Sequence, residues 1–279
     1  MNYYPGCSLH GSSREYDASV REVCRRMGWT LAELPDWNCC GAGAAAAADP
    51  ILAQTLPQRN LILAEQLGGD LLVPCAACYN RLRQAHLAWE RRMPAATAGS
   101  QRLEQVTGHA YGGGVRVLHL LDWWTQSQEL AALKASVVRP LQGLPLAAYY
   151  GCLLLRPREV AFDDPEQPRR MEDLLTAMGA RPVPWPGRLD CCGAGQAMAA
   201  QAMVKRQVDR LVAAARSVGA RAIVTVCPMC QSNLESYQTG EGMPVLFLSE
   251  VVAGALGAEV ASFLRHHLVS AEGVLADAG

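Results

Sequence analysis

Between residues 13 and 27 apolar side chains recur at Tyr16, Val20, Val23 and Met27 with charged residues between them, and the run stops at Gly28. A three-to-four-residue recurrence predicts an amphipathic helix, and a glycine after the last periodic position predicts its left-handed end. The pattern returns at Met171, Leu174, Leu175 and Met178, stopping at Gly179. Other apolar runs show no polar alternation: Leu71-Leu72-Val73-Pro74, Leu146-Ala147-Ala148-Tyr149-Tyr150 and Ile223-Val224-Thr225-Val226. Such runs predict strands buried on both faces. Residues 115–121 and 245–248 predict a closing strand for each half, residues 79–114 an extended helix followed by a loop, and Ala44–Ala48 the start of a helix. Strands alternating with helices place the chain in the α/β class, with parallel sheets covered by helices. The boundary is expected near Gly143, giving units 1–143 and 144–279.

The cysteines repeat with the elements. Cys7, Cys39, Cys40, Cys75 and Cys78 form one set, Cys152, Cys191, Cys192, Cys227 and Cys230 a second, and only Cys24 is left over. Cys40 and Cys75 are separated by 34 residues, as are Cys192 and Cys227, and each set closes with C-x-x-C. Cys39-Cys40-Gly41-Ala42-Gly43 recurs as Cys191-Cys192-Gly193-Ala194-Gly195, and Tyr3-Tyr4-Pro5-Gly6-Cys7 is echoed by Tyr149-Tyr150-Gly151-Cys152. A repeat of this kind predicts two equivalent α/β units. Each cysteine group falls at a strand-to-helix junction, where open α/β sheets gather their ligand sites.

Composition narrows the chemistry. The chain has 279 residues, half of them hydrophobic and 18% charged, with a net charge of −1. This excludes a disordered chain and leaves no positive surplus for nucleic acid. No apolar run approaches the roughly 20 residues of a membrane span, and the first residues lack the pattern of a secretion signal. A cytoplasmic location is expected, where thiols stay reduced, so the eleven cysteines predict metal or redox chemistry rather than disulfide staples. Gly41-Ala42-Gly43 and Gly112-Gly113-Gly114 lack the strand and acidic residue of a dinucleotide loop, so neither NAD nor flavin is expected in this chain.

Clustered thiolates repel unless a positive core neutralises them. Structural zinc takes four ligands in a tetrahedron and leaves a fifth cysteine over. A redox dithiol needs only one C-x-x-C. An iron–sulfur cluster presents several irons and accommodates five ligands, including a vicinal pair that reaches different irons. Zinc in at least one half stays open on these grounds.

Cys, a distant Cys-Cys-Gly and then C-x-x-C, occurring twice, resembles the cysteine-rich CCG domain of the B-type subunit of heterodisulfide reductase. The resemblance is carried by Tyr3-Tyr4-Pro5-Gly6-Cys7-Ser8-Leu9, Asp36-Trp37-Asn38-Cys39-Cys40-Gly41, Pro74-Cys75-Ala76-Ala77-Cys78-Tyr79-Asn80-Arg81-Leu82, Phe162-Asp163-Asp164-Pro165 and Cys227-Pro228-Met229-Cys230. It implies two tandem pseudo-symmetric CCG domains, with a non-cubane [4Fe-4S] cluster held in each and ligands drawn from all ten repeated cysteines. It also implies facing clusters around a disulfide or thiol substrate. The implied partners are a ferredoxin-like C-type subunit and a flavin-containing A-type subunit. Two alternatives are an electron-transfer CCG subunit of another dehydrogenase and a zinc-binding assembly scaffold.

Other residues carry more ordinary expectations. Cys24 aligns with Leu175 on the apolar face and reads as core. His10, three residues after Cys7, is a candidate proton donor to a departing thiolate. His86, His109 and His119 read as satisfied or exposed histidines on helix, loop and strand, and His266-His267 as solvated. Arg81, Arg156 and Arg158 fit either an anionic substrate or surface ion pairs. Trp123-Trp124 is expected to pack an interface, and Met198 and Met203 to lie in the core.

Overall fold

The computed structural model describes residues 1–276. Its first half runs β1 (Asn2–Tyr3), α1 (Gly6–His10), α2 (Arg14–Met27), β2 (Ala32–Glu33), α3 (Ala44–Ala48), α4 (Pro50–Leu67), β3 (Leu71–Val73), α5 (Ala76–Glu90), α6 (Pro94–Thr107), β4 (Val117–His119), α7 (Leu120–Trp124) and α8 (Ser127–Ala135). The second runs β5 (Pro145–Tyr149), α9 (Arg170–Ala177), β6 (Arg181–Pro182), α10 (Gln201–Ser217), β7 (Ala222–Thr225), α11 (Pro228–Tyr237), β8 (Val245–Phe247), α12 (Leu248–Ala255), α13 (Ala261–Leu264) and α14 (Glu272–Ala276).

The strands form two four-stranded parallel sheets in matching orders, β2-β1-β3-β4 and β6-β5-β7-β8. Tyr3 lies beside Glu33 and Leu72, and Val73 beside His119; in the second sheet Tyr149 lies beside Thr225, and Thr225 beside Phe247. All the pairings are parallel, so every crossover returns the chain to the same end of the sheet before the next strand. The carboxyl ends of the strands, and the cysteine loops that leave them, therefore open on one side. The edge strands β2 and β6 are two residues long, too short for an alternation to mark them in the sequence.

Local rules account for the helices, with two departures from expectation. α2 buries Tyr16, Val20, Val23 and Cys24 and ends at Gly28, φ 69°, whose N–H and that of Trp29 close the carbonyls of Arg25 and Cys24. The alanine run is a separate five-residue helix rather than the start of α4. Asp49 leaves the helical conformation and caps α4 by accepting the N–H groups of Ile51 and Leu52, with Pro50 in the first turn. Residues 79–114 contain two helices, α5 and α6, because Arg92 takes a positive φ of 52° and Pro94 starts a new one.

One continuous core joins the halves. Ser19 on α2 meets Ser249 on α12 at 2.6 Å, and the Tyr79 hydroxyl donates to Val160 O. The Asn80 amide donates to Leu153 O and Arg156 O, and the His119 ring stacks on Phe162. Cys24 is buried, as expected, and burial pushes its thiol up to about 12. Among the described residues no helix is long and apolar enough to cross a membrane.

Two expectations are overturned. His266 is exposed, but the His267 side chain is fully buried between Glu235 at 2.9 Å and Glu250 at 3.0 Å, themselves buried. Burial alone would lower its pKa; hydrogen bonds to Glu235 and Glu250 outweigh this and push it up to about 10. Met198 is 97% exposed and Met203 41%; the residues after Gly193 form short turns that leave Met198 on the surface, and Met203, in the first turn of α10, lies off the face that buries Val204 and Val208. Trp124 is wholly buried and Trp123 packs on Trp29 of its own half, while α7, which carries both, also meets the other half, Asp122 pairing with Arg170 of α9.

Candidate functional site

The five sulfurs of each half lie together. In the first, Cys7 follows Gly6 in α1, Cys39 and Cys40 occupy the loop beyond β2, Cys75 precedes α5 and Cys78 is one turn into it. Cys7 Sγ is 3.8 Å from Cys39 Sγ, and Cys40 Sγ is 3.2 Å from Cys78 Sγ. Cys39 hydrogen-bonds Cys40, and Cys75 hydrogen-bonds Cys78, completing a string of five. The second half repeats it: Cys152 to Cys191 at 3.8 Å, Cys192 to Cys230 at 3.5 Å, joined through Cys191–Cys192 and Cys227–Cys230. All ten are free thiols. The C-x-x-C sulfurs and the second cysteine of each pair are buried, while Cys7, Cys39 and Cys191 are exposed. Each string therefore has a buried end and an open end. Among the described residues no three His, Cys, Asp or Glu side chains enclose a single-ion position.

Glycine makes room for the sulfur. Gly6 has φ 73°, and a Cβ there would lie 2.9 Å from Cys78 Sγ; Gly151, φ 63°, would place one 3.3 Å from Cys230 Sγ. Only glycine holds this backbone without strain while leaving the sulfur in place. Gly6→Ala is expected to lose about 1–2 kcal/mol from the left-handed conformation alone, read by denaturant unfolding, and to displace Cys78 from the string.

Tyr4 and Tyr149, each three residues before the first cysteine of its set, lock the loops. Their hydroxyls donate to Asn38 O and Asp190 O, the carbonyls just before Cys39 and Cys191, at 2.7 and 2.6 Å. The repeat contained this signal, a tyrosine at the same offset twice. Asn60 was invisible to it. Buried in α4, its side-chain amide accepts from Asn38 N and donates to Asn38 O, whereas in the second half Gln207 and Asn233 serve, donating to Cys191 O and Cys192 O. Different positions do the same work, so no repeat marks them.

Shared protons differentiate the thiols. Hydrogen bonds from Cys39 and then Cys78 hold Cys40 down to about 3, and those from Cys152 and Cys192 hold Cys191 down to about 2. Their partners Cys39, Cys78, Cys152, Cys192 and Cys230 are pushed up. Arg81 also lowers Cys40 through its charge; one guanidinium nitrogen donates to Ala53 O while its buried Nε has no partner. Asn233 occupies the matching position in the second half.

The remaining candidates lie elsewhere. His10 pairs with Glu33 at 3.0 Å and packs on Trp37. Arg156 pairs with Glu166 on the surface. His86 bonds Tyr111; burial holds the His119 pKa down to about 3, against the opposing effect of its bond to Pro74 O.

The two sites adjoin. A cavity of about 200 Å³ is lined by all five cysteines of the second set, Cys152, Cys191, Cys192, Cys227 and Cys230, and also by Ala42 and Ala76, neighbours of the first set. A second cavity, about 270 Å³, runs between α1 and α11, bringing Ser8 beside Met229 and Ala194.

The family model of the CCG cysteine-rich domain matches residues 1–83 and 146–235. A Wolinella succinogenes protein named 8-methylmenaquinol:fumarate reductase membrane anchor subunit is 32% identical over 279 residues, covering 96% of either chain. The B-type subunit of the ferredoxin/F(420)H(2)-dependent CoB-CoM heterodisulfide reductase of Methanosarcina acetivorans is 26% identical over 92% of this chain and 89% of its own. An Archaeoglobus profundus protein named as like the B-type subunit of heterodisulfide reductase is 27% identical over 90% and 89%. A crystal structure of a hypothetical Helicobacter pylori protein superposes with a TM-score of 0.78 at 13% identity, covering 98% of this chain and 52% of that one, a likeness of fold alone. With the family model matching both cysteine repeats and most of the chain, this protein belongs to the CCG cysteine-rich domain family.

Proposed function

We propose that this chain is the iron–sulfur catalytic subunit of a heterodisulfide reductase-like complex, cleaving or forming a disulfide or related sulfur bond between two facing sites. The observation that carries the reading is the pair of equivalent five-sulfur strings, with Ala42 and Ala76 from the loops of the first set reaching the cavity lined by the cysteines of the second. The donor set fits the group: five sulfurs in a string suit a core with several metal positions better than one tetrahedral ion, and the glycine cradles leave space for its sulfur ligands.

In this reading Cys7, Cys39, Cys40, Cys75 and Cys78 hold one [4Fe-4S] cluster of the non-cubane type, and Cys152, Cys191, Cys192, Cys227 and Cys230 the other. Bound there, the clusters supply one-electron exchange. Reducing a disulfide consumes two electrons and two protons and yields two thiols, so two adjoining one-electron sites match its stoichiometry. The protein's own share is to hold the sulfurs with Tyr4, Tyr149, Asn60 and Asn233 and to keep the buried ends of the strings from water. The electrons come from partner subunits of the ferredoxin-like C type and the flavin-containing A type. The reading divides the chain into CCG domains at 143/144, and a cytoplasmic location suits ten reduced thiols.

Iron and acid-labile sulfide in comparable amounts, without zinc, are expected in protein purified without oxygen. Zinc with no sulfide sinks the proposal and favours a scaffold.

The Wolinella succinogenes relative favours a second reading, an electron-transfer subunit of another dehydrogenase-type complex. Disulfide reduction by the isolated chain with an artificial electron donor separates the two: turnover supports the first, and reduction of the clusters without turnover the second.

A further inference from the structure

Tyr16 is wholly buried on α2 where the halves meet. Its hydroxyl donates to Pro74 O at 2.9 Å and, as the longer arm of a shared bond, to Val226 O at 3.3 Å. Pro74 and Val226 are pseudo-equivalent. Each immediately precedes the first cysteine of a C-x-x-C, Cys75 in one site and Cys227 in the other. A single O–H thus holds matching backbone atoms of both sites within the combined length of two hydrogen bonds. The ring has no freedom to move: it stacks on Phe247 of the other half, centroids 4.2 Å apart and planes parallel within 1°. The Ser19 hydroxyl donates to its carbonyl. A second tie runs nearby, the N–H of Ala77, inside the first C-x-x-C, donating to Cys227. The position aligned with Tyr16 in the second half is Gln167, which is exposed, so the repeat has no second copy of this bridge.

We propose that Tyr16 is a positioning residue that sets the separation of the two cysteine sites. The inference rests on the paired-site reading. A disulfide presents two sulfurs about 2.05 Å apart, so two sites acting on one bond must keep a constant span, and an ångström of misplacement costs rate steeply. Helix packing positions the halves through side chains that tolerate small shifts; the Tyr16 hydroxyl, beside the Ala77 N–H bond to Cys227, ties the ligand-bearing backbones themselves.

The test compares Tyr16→Phe with Ser249→Ala in the full chain, purified without oxygen. Phe keeps the stack on Phe247, and Pro74 O keeps its bond to His119 Nε2, so the fold is retained while the link to Val226 is lost. Ser249→Ala removes a contact between the halves, Ser19–Ser249, that touches neither cysteine motif, and leaves the Ser19 bond to Tyr16 O in place. The expected result for Y16F is unchanged iron and sulfide, a weakened magnetic interaction between the two reduced sites by electron paramagnetic resonance, and disulfide turnover lowered at least about tenfold with KM little changed. S249A is expected to leave both the magnetic interaction and turnover as in the parent. Equal magnetic interaction and turnover in Y16F and the parent overturn the proposal, as does the same loss in S249A, which would make Tyr16 an ordinary interface contact. A parent protein without iron and sulfide removes the paired-site reading, and this inference with it.

Discussion

Cys40→Ser and Cys192→Ser are each expected to halve the iron and sulfide bound per chain and to drop disulfide turnover to background. The reason is positional. Cys40 and Cys192 are the inner links of their strings, buried, each joining an exposed partner of the vicinal pair to the C-x-x-C sulfur on α5 or α11. Serine keeps the volume and loses the soft ligand, so one string is interrupted while the other stays whole. If two one-electron sites serve one disulfide, losing either stops turnover, and the two variants must match in activity while each loses a different paramagnetic signal. Cys24→Ser is the control. Cys24 is buried in α2, outside both sets and with its thiol pushed up to about 12 by burial, so serine there is expected to cost about 1–3 kcal/mol of stability for the buried hydroxyl without loss of iron. A C40S protein with full iron, sulfide and turnover would remove the first site from the mechanism.

His267→Gln is expected to destabilise the chain by about 3–5 kcal/mol, because it leaves Glu235 and Glu250 buried without their cation. The melting temperature should fall on the order of 10 °C. The carboxylates are already committed: Glu235 accepts the N–H of Leu268 and Glu250 that of Phe247, so neither swings to water when the histidine goes. Since His267 is raised from 6.5 to about 10 in the folded chain, its contribution is fully present below about pH 6.5 and is lost as pH rises through about 10. The parent should therefore lose more stability between pH 7 and 10 than H267Q. Thermal unfolding of both proteins across that range checks the sign; parallel curves would show that His267 is neutral in the folded protein.

Several features were readable from residue order because short-range rules dictate them. The apolar runs became β3, β5 and β7, Gly28 and Gly179 took positive φ, and the repeat corresponds to two sheets of the same strand order. Spacing alone marked out the two cysteine sets, since a five-part motif recurring with one interval preserved carries its own alignment. The resemblance to the CCG family rested on those same residues, and the family model matches the segments that contain them.

What lay beyond that reach depends on contacts between residues distant in the chain. His267 looked solvated because it stands beside another histidine near the end of the chain; it is buried because α11 and α12 each bring a glutamate to it from 32 and 17 positions away. Met198 and Met203 had apolar character but no partner surface: Met198 sits in the turns beyond Gly193, and Met203 in α10 lies off the face that buries Val204 and Val208. Residue order alone established the periodicities, the turns and which sulfurs form a set, all of them governed by a few neighbouring bonds. Only folding in three dimensions decided that Ala42 and Ala76 beside the first set reach the cavity of the second and that one tyrosine hydroxyl reaches the backbone of both, because hydrogen bonds and burial act through space.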